Sequence, residues 1–77
     1  MDGYTPNVKI DCSGLYCPMP VINAQSELEN MPGGQILEIT ATDDGVADDF
    51  PMFCKSRKLK LLRLEKKDGY YIIAIQK

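Results

Sequence analysis

The chain has 77 residues, 44% of them hydrophobic and 26% charged, with a net charge of −2. That is one small soluble-type domain, residues 1–77, burying only roughly 60–65% of its unfolded surface. It is too acidic overall for a nucleic-acid binder, and its longest apolar run, Tyr70 to Ile75, is too short to span a membrane.

Cysteine usage excludes more. There are three cysteines, Cys12, Cys17 and Cys54, and no histidine. An odd count without a CxxC pair fits neither a disulfide scaffold nor a structural zinc site, so no metal is expected. The missing histidine removes any Cys-His dyad or Ser-His-Asp triad within the chain. Free thiols and the absence of a signal-like start point to the cytoplasm. Charge is divided along the chain. Residues 1–54 hold Lys9 against nine acidic residues, and residues 55–77 hold eight basic residues against two acidic ones. The basic stretch suits strand edges and a turn, or an acidic partner.

In chain order, residues 1–6 read as a flexible tail broken by Gly3 and Pro6. Val8 and Ile10 alternate with Lys9 and Asp11, a short half-buried strand, and Ser13-Gly14 turns out of it. A helix is expected from Met19 to Met31, with Val21, Ala24, Leu28 and Met31 on one stripe and Pro32-Gly33-Gly34 as its stop. Gln35 to Thr42 alternates as the second strand. Asp43 and Asp44 are expected to cap a second helix carrying Val46, Ala47, Phe50, Phe53 and Cys54, which Pro51 should kink or restart. Leu59 to Lys66 and Tyr70 to Gln76 form a hairpin through Asp68-Gly69. The last strand is apolar on both sides, which marks it as central. It also raises the prospect that a partner or a second copy covers the sheet face away from the helices. The order β-α-β-α-β-β, with a parallel first pair and an antiparallel last pair, predicts an α+β two-layer sandwich: a four-stranded mixed sheet with two helices on one face.

The most informative segment is Cys17-Pro18-Met19-Pro20. It places a cysteine where a helix begins, and prolines fit a first helical turn. There the helix dipole is expected to favour the thiolate modestly. Nothing in the chain supplies a base, so a thiol that receives and hands on is a better reading than an autonomous catalyst. Cys12, five residues earlier, allows a reversible Cys12–Cys17 disulfide, which would make the domain a redox-sensing or regulatory binding module. A small residue at a strand end is the plainer reading of Cys12, and Cys54 on the apolar stripe reads as core. Met19 is a candidate apolar contact for a partner. Asp43, Asp44, Asp48 and Asp49 read as capping and solvation.

Asp11-Cys12-Ser13-Gly14-Leu15-Tyr16-Cys17-Pro18-Met19-Pro20 resembles the signature of the TusA, or SirA-like, family. The resemblance continues through Pro32-Gly33-Gly34, Asp43-Asp44, Phe50-Pro51 and Phe53-Cys54, covering residues 8 to 76. It implies a sulfur carrier of the sulfurtransferase type, with sheet order 1-2-4-3. Cys17 would accept sulfane sulfur as a persulfide from a donor such as a cysteine desulfurase or a rhodanese, then pass it to an acceptor protein. Asp11, Gly14, Leu15, Pro18 and Pro20 match motif positions that shape the loop. Cys12 sits at a variable position, and Cys54 matches a cysteine not needed by the carrier. The chemistry implied calls for no cofactor, and a monomer or weak homo-oligomer is expected.

Overall fold

The computed structural model describes residues 4–77. Its elements are β1 (Val8–Cys12), α1 (Met19–Glu29), β2 (Ile36–Ala41), α2 (Val46–Arg57), β3 (Lys60–Lys66) and β4 (Tyr71–Gln76). The sheet order is β1-β2-β4-β3, with β1 parallel to β2 and β4 antiparallel to both its neighbours. This is the expected mixed sheet, and β4 is central.

The core is the sheet face under the helices. Leu37, Ile39 and Ala41 of β2 lie between Val8, Ile10 and Cys12 on one side and Ile75, Ile73 and Tyr71 on the other. All but Val8 and Ile10 are buried. Cys12 is thus the third inward position of β1, completing the alternation that Val8 and Ile10 begin. Above the sheet, Ala24 and Leu28 of α1 and Val46, Phe50, Phe53 and Cys54 of α2 fill the layer. Phe50 and Phe53 meet edge to face, with centroids 6.4 Å apart. Pro20, read from the sequence as a helix-start and loop-shaping residue, is also fully buried.

Three local expectations change. Asp43 and Asp44 do not cap α2 with their side chains: the N-cap is Gly45, and no side-chain cap bond forms. Their carboxylates are engaged elsewhere. Of the two expectations for Pro51, a kink or a restart, the restart does not occur: α2 is one element from Val46 to Arg57 with Pro51 inside it. Packing of Phe50 and Phe53 holds it across the position where Pro51 supplies no N–H. The open sheet face is also covered in part by the chain itself. Ala74 lies between Glu38 and Arg63 on the neighbouring strands. Those two side chains approach at 3.9 Å, Arg63 also pairs with Glu65, and Ala74 beneath them is fully buried. Tyr4 donates its hydroxyl to Glu38 at 2.9 Å. Of the segment read as a tail, residues 1–3 lie outside the described residues.

The hairpin turns at Gly69 with φ +88°, a conformation glycine adopts freely. No helix among the described residues is long and apolar enough to cross a membrane.

Candidate functional site

The loop from β1 to α1 is held by its own side chains. Asp11 accepts the Ser13 amide at 2.9 Å, closing an Asx turn. Hydrogen bonds from Ser13 hold the Asp11 carboxyl below its ordinary range. Gly14 follows at φ +82°, and its amide donates to the Thr42 hydroxyl at 2.9 Å. Leu15 packs, partly buried, against the core. The loop is thereby fastened at one end to the sheet and at its middle to the loop after β2.

Cys17 follows, exposed, ahead of the N-cap Pro18 of α1. The Cys17–Pro18 peptide bond is cis. Pro20 in the first turn plugs into the core. The Cys17 amide donates to Asp43 Oδ2 at 3.1 Å, and its thiol donates to Asp49 Oδ2. Gly45 passes close beneath: a Cβ there would lie 3.0 Å from Asp43 Oδ2 and 3.6 Å from the Cys17 Cβ. A cleft of about 330 Å³ opens beside the sulfur between α1 and α2, lined by Pro18, Val21, Asp49, Met52, Phe53 and Ser56. Met52 is 70% exposed at its edge, and Tyr16 on the cysteine loop and Met19 at the start of α1 are exposed too.

The electrostatics reverse the expectation from the helix dipole. The hydrogen bond to Asp49 pushes the Cys17 thiol above its ordinary range, aided by desolvation and by the charges of Asp49 and Asp43. The helix start has little to offset this. Pro18 and Pro20 carry no N–H, and the Met19 amide donates to the Tyr16 carbonyl at 2.8 Å. The two prolines that fix the helix start also remove donors that would have stabilised a thiolate.

The other thiols are elsewhere. Cys12 is 1% and Cys54 3% exposed, both in the core. Burial raises both, Cys54 to about 11. A Cys12–Cys17 disulfide would require Cys12 to leave its inward position opposite Ala41. The structure therefore places Asp11, Gly14, Leu15, Pro18 and Pro20 in or beside the loop that carries Cys17, and leaves Cys12 and Cys54 as core residues. It adds Asp43 and Asp49, which the sequence reading assigned to capping and solvation. No group of ligands suited to a metal ion occurs among the described residues.

Residues 8–77 match the model of one protein family, described as sulfurtransferase TusA. The chain belongs to the TusA family. The sulfur carrier protein TusA of Pseudomonas putida (strain W619) is 34% identical over 77 residues, covering 100% of this chain and 96% of that protein. The sulfur carrier protein TusA of Allochromatium vinosum is 36% identical over 69 residues, covering 90% and 91%. Among solved structures, the SirA-like protein from Desulfitobacterium hafniense superposes with a TM-score of 0.79 at 24% identity, over 90% of this chain and 95% of that one. That likeness shows that this chain and the SirA-like protein share the two-layer fold.

Proposed function

We propose that this TusA-family protein is a sulfur carrier and that Cys17 is the residue that holds the sulfur. The observation that carries the reading is the contrast among its thiols. Cys17 is exposed at the mouth of an apolar cleft, while Cys12 and Cys54 are buried. Only Cys17 is accessible to another protein's sulfur.

In the loading step the Cys17 sulfur attacks the terminal sulfur of a donor persulfide. A new bond forms between Sγ and that sulfur, and the donor's S–S bond breaks. The bonding pair leaves on the donor's own sulfur, which takes up the proton that Cys17 gives up. The products are a Cys17 persulfide and a donor thiol, with no net oxidation. Delivery to an acceptor repeats the exchange with the roles reversed. The donor fits a cysteine desulfurase or a rhodanese, the cell's protein-bound persulfides. Free thiols suit a reducing compartment, which makes the cytoplasm the working location. Asp11, Gly14, Leu15 and Pro20 act by fixing the loop, through the Asx turn, the Thr42 bond and two core contacts.

The test is loading by a thiosulfate-charged rhodanese, followed by intact mass. The wild-type protein gains one sulfur atom and Cys17→Ser gains none. Equal gain by the serine variant would refute the assignment.

A further inference from the structure

Two carboxylates, and among the described residues no cation, meet at this sulfur. Asp49, from the first turn of α2, accepts the thiol hydrogen bond, and Asp43, from the loop after β2, accepts the Cys17 amide. These are the charged groups that bear on Cys17. The first turn of α1, Met19 to Ile22, contributes no charge. Among the described residues neither Asp43 nor Asp49 has a cationic side chain within ion-pair distance, whereas Asp44, Glu38 and Glu65 all do. Sulfur exchange runs through the thiolate, and this arrangement opposes one.

We propose that Asp49 guards the sulfur: it holds Cys17 as a protonated thiol in the free carrier, and a cationic side chain of the partner protein, drawn to Asp49 and Asp43, releases it within the complex. This rests on Cys17 being the carrier residue. The physical argument is competition. An ammonium or guanidinium seated on Asp49 takes the carboxylate lone pair that the thiol uses, and cancels the charge that opposes a thiolate. The proton released passes to the donor's departing sulfur, so the exchange stays balanced. The apolar wall of the cleft, Val21 and Phe53 with Met52 at its rim, excludes water around such a pair and strengthens it. The partner is thereby specified by chemistry: a protein with Lys or Arg beside its reactive sulfur. The guard also spares the free carrier from adventitious oxidation, since the thiolate is the form that oxidises.

The test uses the 77-residue protein and two methanethiosulfonate reagents of similar size, one bearing a trimethylammonium and one a sulfonate. Cys17→Ser sets the background from the buried thiols. Wild type is expected to prefer the cationic reagent over the anionic one on the order of tenfold more than a small free thiol does. In Asp49→Asn that preference falls towards the free-thiol ratio. Its alkylation by neutral iodoacetamide at pH 7 rises several-fold as the pH profile moves down. Asp49→Ser shifts in the same direction, and Asp43→Asn shifts less. An Asp49→Asn protein with unchanged charge preference and an unchanged iodoacetamide profile overturns the guard. Sulfur loading from rhodanese is read alongside. Loading of wild type with an unmoved Asp49→Asn profile sinks the guard and leaves the carrier reading standing. No loading of wild type sinks the carrier reading, and the guard with it.

Discussion

The open face of the sheet and the helical edge at Cys17 both carry carboxylates, and they treat them in opposite ways. On the sheet, Glu38 is met by Lys9 at 4.0 Å, by Arg63 at 3.9 Å and by the Tyr4 hydroxyl. At the edge, Asp43 and Asp49 are met by an amide and a thiol. Charge on the sheet is answered within the chain and serves cohesion. Among the described residues, charge at the edge is answered by weak donors, which leaves it available to another molecule. Two of the thiols extend the contrast: burial alone raises Cys54, whereas a carboxylate is the leading cause at Cys17.

The sharpest way to break this comparison is Cys17→Ser. Sulfur loading should disappear, while the urea unfolding midpoint stays within the scatter of ordinary surface changes, about 0.5 kcal/mol. A large fall in stability would mean that Cys17 belongs to the core after all.

Alkaline pH separates the thiols next. Cys54 rises from an ordinary 9.0 to about 11 in the folded protein. Above pH 9 the unfolded chain loses its Cys54 proton first. The stability this thiol contributes is therefore complete below about pH 9 and lost as the pH climbs through about 11. Cys54→Ala should flatten that decline in unfolding experiments between these values, although its starting stability is lower because a buried sulfur is removed.

Arg63→Ala probes the sheet. Arg63 and Glu38 are only partly exposed, and the change should cost roughly 1 kcal/mol in urea unfolding. It should leave iodoacetamide reactivity at Cys17 untouched. A change in that reactivity would show that the two regions are coupled, contrary to their separate construction.

Gly45→Ala is the smallest perturbation. Its backbone, at φ −60°, accepts alanine, but the new methyl would press on Asp43 Oδ2 at 3.0 Å. The Asp43 carboxylate has to give by a few tenths of an ångström. Cys17 reactivity should shift about twofold with little loss of stability, given that Asp43 acts on the thiol only at a distance.

What could be read from the chain itself follows the same division. Alternation at Leu37, Ile39 and Ala41, the stripe Ala24-Leu28, and the Asp68-Gly69 turn are local signals, and all of them appear as expected. The position of Cys17 at a helix start was legible because its motif is contiguous. Asp49 was not, since it lies 32 residues from the cysteine it holds, and an aspartate in the first turn of a helix already has a sufficient explanation there. The sign of the effect on the sulfur was illegible for a related reason. Pro18 and Pro20 announce a helix start, yet the donors they lack are what a dipole argument relies on. The cover over the open sheet face was hidden likewise, since Ala74 is protected by Glu38 and Arg63 meeting across it from two other strands.

The most direct test of the central claim is peptide mapping by mass spectrometry of the protein purified from cells without reductant. The account predicts one additional sulfur confined to the peptide that contains Cys17, with the Cys12 and Cys54 thiols unmodified. Sulfur found on Cys12 or Cys54 while Cys17 stays bare would contradict it.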